Sequence, residues 1–361
     1  MSDGLEGIVA AHTVLSDVDG QAGRLIIRGR SLDELAQGFR FEDVIRLLWD
    51  GFLKDLPSNI PAALGAARVA VFDEVSALDT GLLDRSPIEA MRALTARLAD
   101  GDDVAVALRL VAAPAVFTAA VIRSQAGLAP VTPNPGLRHA ADILQMMRGA
   151  SPTEAQAAAL DTYLVTVCDH GLNASTFAAR VIASTRAGLG SAVLGGVSAL
   201  KGPLHGGAPG PVIEMLDEIG RPENAEGWIL QALARGDRLM GFGHRVYRVR
   251  DPRADALKGA VRRLTTGANA APGRLEFAEA VEKAALSVLK NHKPDRALDT
   301  NVEFYTALLL EALAFPPSAF TCVFAMGRVA GWIAHAQEQL AGGRLIRPQS
   351  VYVGPSPRAA A

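Results

Sequence analysis

Apolar residues recur along most of this 361-residue chain at the three- and four-residue spacing that places them on one face of an α-helix. In residues 41–53, Phe41, Val44, Ile45 and Leu48 share such a face. The same spacing predicts helices over residues 86–98, 104–123, 137–149, 153–168, 174–187, 211–219, 252–264, 275–290, 302–314 and 319–340. The pattern therefore predicts an all-α protein.

Turn residues interrupt this helical pattern at a few places. Asp19-Gly20 separates two short β-prone stretches near the N-terminus, which predicts a small β-hairpin and is the one clear strand signal. The three prolines of APVTPNPG, residues 129–136, separate two helices, and Gly220 and Gly236 stand where helix C-caps are expected. Strands do not alternate with helices, so a dinucleotide-binding βαβ fold is excluded.

Composition narrows the class of protein further. A chain of this length with 49% hydrophobic residues is expected to form two domains. Its formal charge of -2, and basic residues without interleaved aromatic ones, argue against a nucleic-acid-binding protein. Cys168 and Cys322 each lie among apolar residues, which predicts reduced cysteines in the core.

The sequence also predicts a cytoplasmic protein. Asp3 and Glu6 stand where a signal peptide carries positive charge. The most apolar run, between Arg109 and Arg123, contains Pro114 and is expected to be too short to cross a bilayer. We therefore expect no association with a membrane.

One stretch stands out in a chain that is not basic overall. GFGHRVYRVRDPRADALKGAVRRL, residues 241–264, contains seven Lys or Arg residues and one histidine, His244. Arginine binds carboxylate and phosphate groups through paired N–H donors, so the cluster favours an anionic small molecule. A solvated basic surface is the alternative for Arg262 and Arg263, and it is less favoured for Arg253, which lies just inside a predicted helix start.

Two further histidines, His170 and His205, lie in glycine-rich or polar surroundings like those of His244. A single histidine is more often structural than catalytic, but three in such surroundings favour a shared site. A helix is expected to begin near Pro211, and its positive end would disfavour the cationic form of His205, leaving a neutral donor for a carbonyl oxygen. A turn made by Gly206 and Gly207, with His205 as its cap, remains the alternative.

Glu303 is the candidate base. It lies between Val302 and Phe304 at the start of an apolar helix, so a buried or half-buried carboxylate, poised as a base, is expected there. A helix-capping role is the alternative for Glu303 and Asp299. Because the sequence has no HExxH motif, CxxC motif or short histidine pair, we expect no metal site.

Several motifs in chain order give a more specific indication. DHGLNASTFAARVIAS, ALKGPLHGGA, GFGHRVYRVRDPRA, NVEFYTALLL, GRVAGWIAHAQEQL and RLIRPQSVYVG together resemble the citrate synthase family over nearly the whole chain. The resemblance implies a helical homodimer whose subunit has a large domain, residues 1–206 and 315–361, and a small domain, residues 207–314, that closes over the substrates. It also implies condensation of acetyl-CoA or another acyl-CoA, as cosubstrate, with oxaloacetate and water, with no further cofactor.

The resemblance assigns roles by position. His205 would bind the thioester oxygen, His244 would polarise the oxaloacetate carbonyl, and Glu303 would be the base where the family usually has aspartate. The remaining implied roles are oxaloacetate binding by His170, Arg253 and Arg328, oxaloacetate binding by Arg347 from a partner subunit, and binding of a CoA phosphate by Arg248.

Two departures from the family pattern leave alternatives open. Glu303 adds a methylene to the usual aspartate, and APGPV, residues 208–212, replaces an Asn-Glu-Ala type of sequence. One extra methylene on the acyl group discriminates by only about 1–3 kcal/mol, so a 2-methylcitrate synthase that uses propionyl-CoA stays open. An inactive relative that binds acyl-CoA or organic acids is the alternative of another class.

Overall fold

The structure of the protein is a computed structural model. It describes residues 3–5, 7–206, 209–244, 246–265, 273–293, 296 and 298–355. Glu6, Gly207 and Ala208, on which some of the sequence expectations rest, lie outside the described residues. The fold within these ranges is almost wholly helical, as the spacing of apolar residues predicts.

Sixteen α-helices follow one another in the described residues. They are α1 Leu32–Gly38, α2 Phe41–Trp49, α3 Ile60–Phe72, α4 Thr80–Leu83, α5 Pro87–Thr95, α6 Val104–Gln125, α7 His139–Arg148, α8 Glu154–Val167, α9 Ala174–Ala183, α10 Leu189–Leu200, α11 Pro209–Ile219, α12 Ala225–Ala234, α13 Pro252–Thr265, α14 Arg274–His292, α15 Val302–Ala312 and α16 Phe320–Gly342.

The predicted N-terminal hairpin is present and belongs to a small antiparallel sheet. Strands β1 Ser16–Asp19 and β2 Arg24–Ile27 pair with Asp17 opposite Ile26, and β3 Arg30–Ser31 adds two residues beside β2. The sequence did not indicate β3 because two residues are too few to show a β alternation.

Every predicted helix is found, with ends that differ by at most four residues. Five helices, α1, α3, α4, α10 and α12, were not predicted. The reason is clearest in α10, LGSAVLGGVSAL, whose small residues give no polar face to detect. A Cβ atom at Gly195 would lie 2.2 Å from Ile182 Cδ1, and one at Gly196 would lie 2.7 Å from the Trp332 ring, so these glycines allow α10 to pack closely against α9 and α16.

The core is built around the long helices α6 and α16. By length and composition alone both could cross a membrane, but 83% and 89% of their apolar windows are buried inside the protein. The expectation that the apolar run around Pro114 is too short to span was wrong about its length, because α6 has 22 residues and Pro114 lies within it. Cys168 and Cys322 are buried and free, as predicted.

Two helices end at the glycines that the sequence marks as C-caps. Gly220 and Gly236 have the left-handed φ values of 65° and 84° expected after α11 and α12, which confirms the predicted C-caps. Helix α13 packs against both α8 and α15. The division into a large domain and a small domain, residues 207–314, stays a prediction.

Candidate active site

One cavity brings together most of the residues singled out in the sequence. Its volume is about 340 Å³. The predicted site residues in its wall are His170, His205, His244, Arg253, Glu303 and Arg328. They are spread over more than 150 positions of the chain, from His170 to Arg328, so only the fold unites them.

The glycine-rich loop before His244 is joined directly to the start of α15. The N–H of Asn301 donates to the Gly241 carbonyl at 2.9 Å, and the N–H of Gly243 donates to the Asp299 carbonyl at 2.7 Å. Gly241 and Gly243 adopt φ values of 86° and 79°, which other residues rarely adopt. The glycines therefore shape a loop that holds His244 next to the helix of Glu303.

The hydrogen bonds of His244 define its protonation state. Its Nδ1 accepts the backbone N–H groups of Val246 and Tyr247 at 3.0 and 3.1 Å. Burial, together with the positive charge of Arg253, lowers its pKa to about 4. A neutral ring whose Nδ1 is an acceptor carries its proton on Nε2. That nitrogen lies 3.3 Å from Arg253 Nη2, which can only donate, so Arg253 must turn aside for His244 to present its N–H to a ligand near pH 7.

His205 is also a neutral imidazole, for a different main reason than the sequence suggested. It lies in the turn between α10 and α11, and its Nε2 is 2.8 Å from the hydroxyl of Ser175. Burial is the largest cause that lowers its pKa to about 4, followed by the charge of Arg328. The ring is thus kept uncharged by its burial and by a neighbouring cation.

His170 and the two arginines form the most buried part of the wall. His170 Nε2 is 3.1 Å from the Tyr247 hydroxyl, and burial holds the pKa of His170 well below its usual value. Arg253 forms a two-point ion pair with Asp251, with Nε–Oδ1 and Nη2–Oδ2 distances of 3.0 and 2.8 Å. Arg328 donates from Nε to the Val167 carbonyl at 2.6 Å.

Positive charge in this part of the wall exceeds negative charge. Burial, together with the charge of Arg253, lowers the pKa of Arg328 to about 10. Within the described part of the chain, the Nη atoms of Arg328 have no hydrogen-bond partner. Two guanidinium groups, of which only that of Arg253 is paired with a carboxylate, are suited to an incoming dianion.

Glu303 lies in the same wall as a half-buried carboxylate at the first turn of α15. The helix is capped by Asn301, whose Oδ1 accepts the N–H of Glu303 at 3.0 Å, so capping is not the role of the Glu303 side chain. Burial raises the pKa of Glu303 to about 7, against the opposing charges of Arg253 and Arg238. This is the half-buried carboxylate that the sequence predicts, and its raised pKa suits a base.

Two predicted site residues lie outside this cavity. Arg248 is exposed and lines a neighbouring groove of about 430 Å³ together with Asp17 and Asp19, whose carboxylates would repel a phosphate. Arg347 is exposed in the extended segment after α16. Their assigned roles stay predictions. In the described ranges, no group of three or more His, Cys, Asp or Glu side chains could hold a metal ion.

Comparison with known proteins gives the geometry a context. Residues 4–349 match the family model described as citrate synthase, C-terminal domain. The chain belongs to the citrate synthase family. It is 42% identical to the putative citrate synthase 2 of Mycobacterium tuberculosis, with 98% of this chain and 93% of the relative covered.

Two other relatives of the family differ in name. The chain is 37% identical to the citrate synthase of Haloferax volcanii, over 97% of this chain and 95% of the relative, and 35% identical to the 2-methylcitrate synthase of M. tuberculosis, over 97% and 90%. A solved citrate synthase from Thermoplasma acidophilum, in ternary complex with carboxymethyl coenzyme A and oxaloacetate, has a TM-score of 0.86 and 29% identity and covers 100% of this chain and 98% of its own.

Several residues of this citrate synthase-family cavity were missed in the sequence. Arg238 lies in the wall immediately before the LMGFGH stretch, a position that could have indicated a second cation near Glu303. Phe324 contacts both His205 and Arg328, but its place within the apolar repeat of α16 gave no signal. Ser175 is buried on α9, and only the fold brings it to His205.

Proposed function

We propose that this protein condenses an acyl-CoA, acetyl-CoA in the first place, with oxaloacetate and water to give citrate and CoA. The observation that carries the proposal is the convergence of neutral imidazoles, two guanidinium groups and one carboxylate with a pKa of about 7 on a single cavity. A condensation needs a base for the acyl carbon next to the thioester, N–H donors for the two carbonyl oxygens and cations for the carboxylates, and this set supplies all three.

In the first step, the ionised Glu303 removes a proton from the acyl carbon next to the thioester. His205 donates a hydrogen bond to the thioester oxygen, which stabilises the enol as charge moves onto that oxygen. For His205 to donate into the cavity from Nδ1, its Nε2 must accept the proton of the Ser175 hydroxyl, 2.8 Å away. That hydroxyl must then turn from Asn173 Oδ1, to which it donates at 2.8 Å.

In the second step, the enol carbon attacks the keto carbon of oxaloacetate. The Nε2–H of His244 polarises the ketone and transfers its proton to the new alkoxide, while His170, Arg253 and Arg328 hold the two carboxylates. The proton that Glu303 removed from the acyl carbon then returns to His244, so the imidazole is neutral again and Glu303 is ionised again. Water then hydrolyses the citryl thioester, which gives citrate and the free CoA thiol. The proposed reaction uses no metal ion.

The test is release of the CoA thiol on mixing the purified protein with oxaloacetate and acetyl-CoA, with Glu303→Gln as the matched variant. We expect turnover by the parent, loss of turnover in the variant by roughly 100-fold or more, and oxaloacetate affinity that changes little. If the parent binds oxaloacetate but releases no thiol from any acyl-CoA, the protein is a binding relative and the proposal is wrong.

A 2-methylcitrate synthase activity with propionyl-CoA is the second candidate. A relative with that name is 35% identical, and apolar residues of the cavity wall, Leu204, Val302 and Phe324, would tolerate an extra methyl group. Initial rates with acetyl-CoA and propionyl-CoA at equal concentration distinguish the two activities, since a ratio above about 10 in either direction assigns the substrate.

The active form is proposed to be a homodimer to which each subunit contributes Arg347. The segment around Arg347 is extended and exposes apolar side chains, with Tyr352 75% and Val353 91% exposed, as a segment that docks on another surface would. Sedimentation of active protein as a monomer would contradict this proposal. If the proposal holds, Arg347→Ala should raise the KM for oxaloacetate without changing the sedimentation of the dimer.

A further inference from the structure

The turn of the β1–β2 hairpin lies against the loop that carries His244. The N–H of Arg248 donates to the carbonyl oxygen of Gly20 at 2.8 Å. A Cβ atom placed on Gly20 would lie 2.2 Å from the carbonyl oxygen of Val246 and 3.0 Å from Val246 Cγ1. Backbone therefore meets backbone at this contact, and a glycine is required there.

The other end of β1 holds the corner that carries His170. The N–H of Gly171 donates to the Ser16 hydroxyl at 2.9 Å, and that hydroxyl donates in turn to the carboxylate of Asp169. Asp169 is fully buried and accepts a second hydrogen bond from His335 Nε2 at 3.1 Å. Ser16 thus ties the strand to the residues on both sides of His170.

His170 and His244, the residues that these two contacts hold, are neighbours in the cavity wall. The rings of His170 and His244 are 5.8 Å apart, and Tyr247 packs against both, with its hydroxyl 3.1 Å from His170 Nε2 and its ring 4.8 Å from that of His244. His244 is oriented by the N–H groups of Val246 and Tyr247, and Val246 is the residue that Gly20 touches. A shift of the hairpin turn is therefore transmitted to the His244 ring.

We propose that the β1–β2 hairpin, through Ser16 and Gly20, is a positioning element that fixes the separation of His170 and His244 and so the fit of a 2-oxo diacid between them. The inference rests on the proposed function for the identity of that ligand. A neutral N–H donor flanked by guanidinium groups suits a ketone that lies between two carboxylates, which is the chemistry of a 2-oxo diacid.

The displacement expected from one added methyl group follows from the contact distance. In Gly20→Ala, the Val246 peptide must retreat by at least 0.8 Å, from 2.2 Å to 3.0 Å. A misplacement of about 1 Å in a substrate-positioning group costs roughly 100-fold in reaction rate. Because the same residues bind oxaloacetate, we expect its affinity to weaken by roughly 10- to 100-fold.

The experiment compares Gly20→Ala, Ser16→Ala and the control Gly38→Ala, because a Cβ on Gly38 meets nothing within 4 Å. For each full-length variant we would measure oxaloacetate affinity by calorimetry, the KM for the acyl-CoA, the melting temperature, and the His170–His244 separation in a crystal structure. We expect the first two variants to lose oxaloacetate affinity and to separate the rings beyond 5.8 Å. Gly38→Ala should match the parent in all four, and the KM for the acyl-CoA should change by less than roughly threefold in every variant.

The outcomes separate this inference from the proposed function. A Gly20→Ala variant with unchanged ring separation and oxaloacetate affinity within roughly twofold of the parent overturns the inference. Equal increases in both KM values overturn it too, because they indicate a general loss of structure. If the parent binds no oxaloacetate, the proposed function fails while the ring separation still decides the positioning role, and if Gly20→Ala does not fold, Ser16→Ala decides it.

Discussion

The pH dependence of the reaction should report the ionisation of Glu303. Burial raises its pKa from the usual 4.5 to about 7. Because the base must be ionised, the active form accumulates as the pH rises through that value. The cavity imidazoles do not titrate in this range, since the pKa values of His205 and His244 are lowered to about 4.

The size of the effect follows from that pKa. At pH 6, roughly one tenth of Glu303 is ionised, whereas a glutamate with an unshifted pKa would be almost fully ionised. The value of kcat/KM for the acyl-CoA at saturating oxaloacetate should therefore fall about tenfold per pH unit below pH 7. A bound oxaloacetate dianion can only move this limb to higher pH, because a like charge disfavours the carboxylate.

The assay is thiol release between pH 5.5 and 8.5, with the fold monitored at each pH. Arg238→Gln provides a matched test. The charge of Arg238 lowers the pKa of Glu303, so its removal should move the acid limb of the pH–rate profile to higher pH. A rate that stays flat from pH 5.5 to 7.5 in folded protein would refute the assignment of Glu303 as the base.

Three further predictions concern stability and binding. Burial raises the pKa of Asp161 to about 7, so the parent loses stability as the pH rises from about 4 to about 7. Asp161→Asn removes this titration, and its free energy of unfolding in urea should gain about 3 kcal/mol on that of the parent between pH 5 and pH 8. Arg68→Met should lower the free energy of unfolding by about 3–5 kcal/mol, since it leaves the fully buried Asp142 without its ion-pair partner, and Asp142→Leu in the same chain should recover part of this loss. Arg253→Lys should raise the KM for oxaloacetate roughly 10- to 100-fold, because lysine lacks the two-point contact with Asp251 and the flat donor group for a carboxylate; a change below twofold would remove Arg253 from the substrate site.

The local signals of the sequence were sufficient for most helices. Apolar residues at helical spacing, Gly220 after α11 and Asp19-Gly20 in the hairpin act through the backbone of their own segment, so they can be recognised without the rest of the chain. Helices α3 and α10 were not predicted, because the spacing of their small residues depends on the neighbouring elements that they contact.

The order of motifs indicated the family, and the isolated features of single residues did not. His170, His205 and His244 could each have been structural, and the reason why His205 is neutral came out differently, with burial in place of the helix end as the main cause. The charge pattern suggested Arg248 for an anion, although two carboxylates share its groove, while Arg238 in the cavity wall was overlooked.

The sequence by itself determined the helical class and the small hairpin, because those properties depend on residue type and short spacing, and the order of its motifs indicated the family and with it the candidate site residues. Only the tertiary structure decided that these side chains share one cavity, that burial raises the pKa of Glu303 while it lowers those of the imidazoles, and that Ser16 and Gly20 contact loops more than 150 positions away. Burial and long-range contact are properties of the packed chain, and no local stretch of sequence contains them.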